Sequence, residues 1–243
     1  MSVLLPSTRA TIFALSCLLC GSLAQAFELR IPPHPGSDQA CSRIWKRLGA
    51  LLPNLQLRVT GDHVTAARRD LSLLEGSLDA DCGTIRTPPG SGLRYSAVPV
   101  YSVRVVLVAR LEDDIAIHNA AELRTASEAT PLLLNRGSQF RALVEKLGVK
   151  AIDDSGAHTQ QNIQKLLAGH GRLFLYQQPA LDSKLRESGL QGRVRVLAWS
   201  PGKVAYYMAY SPHMDRTLVE RLDTALQQLA HKGELGTPKA AED

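Results

Sequence analysis

The chain has 243 residues, 44% of them hydrophobic, 21% charged and 5% aromatic, with a formal net charge of +5. That composition belongs to a globular protein and excludes disordered, collagen-like and fibrous chains, while one large domain or two halves of roughly 100 residues each stay open. Four cysteines are too few for a disulfide-stapled miniature, and the basic residues are spread along the chain rather than blocked together, so no nucleic acid partner is called for.

Met1 to Ala26 reads as a secretory signal peptide: one charge at Arg9, an apolar run from Thr11 to Leu19, then Ala24-Gln25-Ala26. Cleavage is expected before Phe27. The run is too short for the roughly 30 Å of a bilayer core, and Ala14-Leu15-Ser16-Cys17 leaves a lipoprotein-like alternative open. Cys17 and Cys20 depart with this segment. Cys41 and Cys82 then remain in an oxidising compartment, where two thiols most often form one structural disulfide; two buried free thiols or a reactive cysteine are the other readings.

Along the mature chain, short β runs alternate with helical patterns. Phe27 to Ile31 is a predicted strand that stops at Pro32-Pro33-His34-Pro35-Gly36. Ser37 or Asp38 then caps a helix to about Leu52, with Ile44, Leu48, Leu51 and Leu52 on one face. A strand over Leu55–Val59, a helix over His63–Leu74 and a strand over Leu78–Cys82 follow. After the turn-rich stretch Thr87–Gly92, Val103–Ala109 is a nearly continuous apolar run, as in a strand covered on both faces.

A second alternation begins at Pro131. Strands are predicted over Pro131–Leu134, Val149–Ile152 and Arg172–Tyr176, with helices over Ser138–Leu147, Thr159–Leu167 and Gln178–Glu187. Strands over Val194–Ala198 and Val204–Tyr210 lead into an amphipathic helix from about Pro212 to His231, striped by Leu218, Leu222, Leu226 and Leu229. Such alternation makes parallel sheet the economical outcome. Leu71–Ala80 and Ile163–Arg172 also echo each other, each ending a helix in Leu-Leu-x-Gly before a strand. Two similar α/β halves are the expectation.

The order of these segments carries a resemblance. An exported chain with LLEGSLDAD, RYSAVPVYSVRVVLVAR, PLLLNRGSQFRALVEKLG, NIQKLLAGHGRLFLYQ and VAYYMAYSP before a terminal helix resembles the family 3 periplasmic solute-binding proteins, receptors of polar amino-acid ABC importers. The similarity covers essentially the whole mature chain. It implies an α/β, two-lobed periplasmic-binding-protein-like fold of type II, each lobe a mixed, mainly parallel sheet flanked by helices. One lobe would hold residues 27–110 and 201–243, the other 111–200, with a hinge at the crossings Ala109–Glu112 and Ala198–Gly202.

The resemblance also implies where a ligand lies: in the cleft, beyond the carboxyl ends of strands. Gly137, Ser138 and Gln139 open a predicted helix, with Arg136 adding a full charge, and the family holds a ligand carboxylate on such a Gly-Ser/Thr segment. Ser138 as a simple helix cap is the plainer reading. In the first lobe the family has a Ser or Thr and then a carboxylate-gripping Arg; counting back from Tyr95–Pro99 puts that Arg at Pro89, and the nearest candidates are Thr84 and Arg86. Arg86 as a solvated surface residue is equally open.

The family's amine-binding Asp should follow the strand ending at Tyr176, yet the chain reads Tyr176-Gln177-Gln178-Pro179. An α-ammonium would lose a charge-assisted partner, which counts against a standard amino-acid ligand; Tyr176 and Gln177 offer a hydroxyl and an amide to a neutral or acidic one, and a Tyr176 packed in the core is the plainer reading. His34 stands where the family often stacks an aromatic on its ligand. No H-E-x-x-H, G-x-S-x-G, Walker loop or Cys/His metal spacing occurs, and Asp113-Asp114 and Asp153-Asp154 read as solvated loop acids rather than acid/base dyads.

The sequence thus points to a periplasmic, monomeric binding protein rather than an enzyme, with no cofactor or metal. Its expected partners are a small polar, amino-acid-like or anionic solute and an inner-membrane ABC permease or sensor protein. An accessory or sensory protein with the same fold and a degraded pocket is the alternative.

Overall fold

The structure, a computed structural model, describes residues 26–33, 39–61, 65–87, 90–178 and 180–236. The signal-peptide reading and His34 lie outside the described residues, apart from Ala26. The first half of the chain gives β1 (Phe27–Ile31), α1 (Gln39–Leu51), β2 (Leu55–Val59), α2 (Ala66–Leu74), β3 (Ala80–Thr84), β4 (Arg94–Tyr95) and β5 (Tyr101–Arg110). Then come α3 (Ala120–Ala129), β6 (Leu132–Leu133), α4 (Arg141–Lys146), β7 (Ile152–Asp153), α5 (Thr159–Leu167), β8 (Phe174–Gln177), α6 (Ala180–Ser188), β9 (Val194–Val196), β10 (Gly202–Tyr210) and α7 (Arg216–His231).

Strand β5 organises the molecule. Residues Tyr101–Val105 pair with β10, while Val105–Val108 pair with β8 and Val108–Arg110 with β9, all antiparallel. β9 and β10 therefore run as one interrupted strand along β5, and the pairing of the second half starts at Val105. The larger sheet reads β3-β10-β5-β8-β6-β7, with β6 parallel to both β7 and β8; β1 and β2 form a separate parallel pair. The sheet is thus mixed, with its parallel portions away from the two long central strands.

The apolar run in β5 is explained by cover on both faces. Val105, Leu107 and Ala109 join the main core, whereas Val106 and Val108 point the other way into a second cluster with Ile163, Leu166, Phe174 and Leu181. This is the period-two alternation of a strand, applied to a segment covered on both faces. α1 contributes Ile44, Trp45 and Leu48 to the main core, and α7 contributes Leu222, Leu226 and Leu229, with Leu218 only partly buried and Val219 buried in its stead.

The echo between the halves has a structural basis. Gly76 and Gly169 both sit at positive φ, 74° and 80°, immediately after helix C-caps. In each case the glycine N–H returns to a carbonyl three back, Leu73 or Leu166, and the next N–H returns five back, to Ser72 or Lys165. Only a residue without Cβ strain turns the chain so cheaply from helix to strand.

Three departures from the sequence reading have clear causes. α4 begins at Arg141 rather than Ser138, because Gly137 takes φ 63° and Ser138 is spent on a turn: its N–H bonds Asn135 and its Oγ accepts from Phe140. α3 was not expected, yet Asn119 caps it by accepting from the Glu122 N–H, while Glu122 reaches back to the His118 N–H. Asn119-x-x-Glu122 is a capping-box signature. Asp113 is not a solvated loop acid: its buried carboxylate accepts from Arg110 at 2.9 Å and Arg172 at 2.5 Å, and the Arg172 hydrogen bonds hold it below the usual carboxylate range.

Cys41 on α1 and Cys82 on β3 are bonded, with a Cα–Cα distance of 5.5 Å and a sequence separation of 41. A closed loop of that length restricts the unfolded chain by roughly 3 to 4 kcal/mol. A Cys41→Ser/Cys82→Ser variant is expected to melt about 10 °C lower than the oxidised protein. Calorimetry checks this, and an unshifted melting point would remove the bridge from the stability account.

Candidate functional site

A cavity of about 1020 Å³ lies where the two halves meet over β5 and β10. Its floor is aromatic. Tyr101 and Tyr206 are cross-strand partners whose rings stack with centroids 4.8 Å apart, and the Tyr206 hydroxyl donates to Gln177 Oε1 at 2.9 Å. Tyr176 stands beside them, its ring stacked on Phe174 at 5.5 Å. Because β5 and β10 are antiparallel, residues from both are presented side by side at one level.

One wall is the first turn of α2. Thr65 caps that helix by accepting from the Arg68 N–H, and Thr65, Arg68 and Arg69 all face the cavity. Behind them Arg69 Nε donates to Asp81 Oδ2 at 2.8 Å. The Asp81 carboxylate is fully buried and also accepts from the Gly83 N–H and the Thr84 hydroxyl. A buried carboxylate needs such a ring of donors.

The opposite wall comes from the turn Asn135–Phe140, the start of α5 and the inner face of α6. His158 caps α5 by accepting from the Gln161 N–H. Lys184 and Glu187 on α6 form an ion pair of 2.6 Å, and that hydrogen bond holds Glu187 below its ordinary range. Gln139 crosses the gap, its Oε1 accepting from the Ile85 backbone N–H at 3.2 Å. Its Nε2 is buried without a hydrogen-bond partner among the described residues.

Of the residues singled out in the sequence, Arg136, Gly137, Ser138, Gln139, Tyr176 and Gln177 are brought together around this cavity. Thr84 and Arg86 are not. Thr84 turns inward, its hydroxyl used on Asp81. Arg86 lies on the far side of β3, donating to the Ser96 carbonyl at 2.7 Å with its guanidinium 4.2 Å over the Tyr207 ring. It serves the packing of β4 and β10, and the first-wall cations are instead Arg68 and Arg69.

These two arginines, with His158, Lys184 and the stacked tyrosines, were missed in the sequence. A charged pair on an amphipathic helix looks like a solvated face, and the alternation of β5 and β10 does not reveal which tyrosines oppose each other. Among the described residues no group of three or more His, Cys, Asp or Glu is placed to hold a metal ion, and no helix is long and apolar enough to cross a membrane.

The sequence matches no protein-family model and no curated protein. Solved structures do share its architecture. It superposes on a histidine kinase sensor domain with similarity to periplasmic binding proteins with a TM-score of 0.71 at 15% identity, covering 86% of this chain and 93% of the other. For the GluR0 ligand-binding core in complex with L-glutamate the TM-score is 0.69 at 13% identity, covering 85% and 94%. For an arginine-binding protein of T. maritima it is 0.66 at 14%, covering 85% and 91%. The chain has the two-lobed α/β fold of periplasmic binding proteins.

The wall at α2 carries a titratable group. Asp70 follows Arg69, its Oδ1 is buried without a hydrogen-bond partner, and burial, then the charge of Asp81, pushes its carboxyl up to about 6 from 3.8. A folded-state value above the unfolded one means that folding takes up a proton, so this group opposes folding at pH 7 and ceases to do so as the pH falls below about 4. Asp70→Asn is expected to stabilise the protein at pH 7 by about 1 kcal/mol, allowing for its partial exposure. Melting curves between pH 4 and 7 should show a flatter profile for the variant; an identical profile would exonerate Asp70.

Proposed function

We propose that this chain is an exported receptor that captures a small polar or anionic solute between its two lobes and presents it to an inner-membrane partner, an ABC-type importer. The observation that carries the reading is the cavity itself, whose walls come from both halves and whose floor is made by the strands the halves share. Capture then rests on differential affinity for a closed arrangement, and no bond is made or broken. Arg136, Gly137, Ser138, Gln139, Tyr176 and Gln177 are the proposed contacts from one lobe and the shared strands, with Arg68 and Arg69 from the other.

Residues 27–110 with 201–243, and 111–200, are the proposed lobes. In this reading the chain bends at the Val105–Gly202 pair, where β10 begins and β5 takes up its pairing with β8. Val105 lies ahead of the Ala109–Glu112 crossing read from the sequence; Gly202 closes the Ala198–Gly202 crossing. Export through a cleaved signal peptide to the periplasm and a monomeric state complete the reading. The likeness to a histidine kinase sensor domain favours one second reading, that the same clamp reports its solute to a signalling partner.

A thermal-shift panel of amino acids, dicarboxylates and small inorganic anions tests the capture step. A solute at 100 times its dissociation constant contributes about 2.7 kcal/mol, which for a chain of this size raises the melting point by roughly 5 to 10 °C. X-ray scattering should show the same solute shrinking the radius of gyration. If no solute moves either measurement, the receptor reading is lost.

A further inference from the structure

The cationic side chains around the cavity are unequally answered. Arg69 is neutralised by Asp81, and Lys184 by Glu187. Arg68 and Arg136 are both exposed, and among the described residues neither has a carboxylate within ion-pair distance; Arg136 donates to the Ser155 carbonyl at 2.7 Å. They come from opposite lobes but flank one seam. A Cβ placed on Gly137 would stand 3.5 Å from both Thr65 and Ala67, so the Arg136–Ser138 turn is seated against the first turn of α2.

Two like charges thus flank one seam, and their repulsion would oppose any narrowing of it unless something of the opposite sign enters with them. The acid within the cavity cannot supply it, since Glu187 is engaged by Lys184. Nor does it offer a ready partner to an ammonium group, which would have to displace Lys184. A guanidinium presents a planar fork of donors that fits a carboxylate or phosphoryl group, and a lone carboxylate, with its single charge, answers only one of the two arginines, whereas two carboxylates or one doubly charged phosphoryl group answer both.

Building on the receptor reading, we infer that the solute carries at least two negative charges and no ammonium group, and bridges Arg68 and Arg136 as the counter-charge that lets the lobes close. A dicarboxylate and a phosphoryl compound share this chemistry. The absence of an acid after Tyr176 then follows, because no amine has to be held there.

Titration calorimetry at low salt tests this with succinate, glutarate and inorganic phosphate against glutamate, glutamine and arginine. At least one dianion is expected to bind about tenfold or more tightly than every amino acid, with the dicarboxylate and phosphate arms telling the two sources apart. Arg68→Gln and Arg136→Gln should each weaken that binding by about tenfold, while Arg216→Gln, on the outer face of α7, leaves it unchanged. Both cavity variants alter exposed side chains, and circular dichroism verifies that they fold. An amino acid that binds as tightly as the best dianion, or wild-type affinity in both variants, overturns the inference. If scattering still shows contraction with that amino acid, the receptor reading survives; if nothing in either panel binds or contracts the protein, both fall.

Discussion

The geometry of the molecule follows from the way β5 divides its hydrogen bonds. Its first five residues are committed to β10, and from Val105 onward the same strand is held by β8 and β9. Neither half can form its sheet without this strand, and neither can drift away from the other while it is paired. A strand buried on both faces must be apolar nearly throughout, which is why Val103–Ala109 is so conspicuous in the sequence. The same constraint fixes the floor of the cavity, because cross-strand pairing brings Tyr101 to Tyr206 and places Gln177 within reach of the latter's hydroxyl.

What was legible in the sequence was what local chemistry decides. Helix-to-strand turns at Gly76 and Gly169 announce themselves through a residue that tolerates positive φ. The Gly137–Gln139 segment announces itself through its place after a short apolar strand. The Asn119-x-x-Glu122 box is an equally local signal, but α3 has few large apolar positions and its helical period is faint. Periodicity and capping are separate signals, and here capping alone marked the helix.

What was not legible depends on pairing across long separations. The β3 strand is buried at every position, so alternation gave no hint of which side chains face the cavity. The resemblance offers Thr84 and Arg86 as ligand contacts; instead Asp81 takes the Thr84 hydroxyl, and aromatic rings of β4 and β10 take Arg86. The cations that line this wall are Arg68 and Arg69, on a helix whose first turn reaches the cavity only because β3 and α2 are packed together. Asp81 shows the same dependence: a lone acid in a strand reads as an anomaly until Arg69, twelve residues earlier, is seen to meet it.

The contacts that span the gap are few and individually small. Gln139 gives one hydrogen bond to the Ile85 N–H, and Gly137 rests against Thr65 and Ala67 by van der Waals contact. A hydrogen bond of this kind contributes about 0.5 to 1.5 kcal/mol net. Such contacts define the register in which the lobes meet without locking them there. Moving an open-to-closed equilibrium from 1:99 to 99:1 takes about 5.5 kcal/mol of differential affinity, more than the Gln139 bond provides. On the proposed receptor reading the balance comes from whatever occupies the cavity: a clamp that met itself tightly when empty would report nothing about its solute.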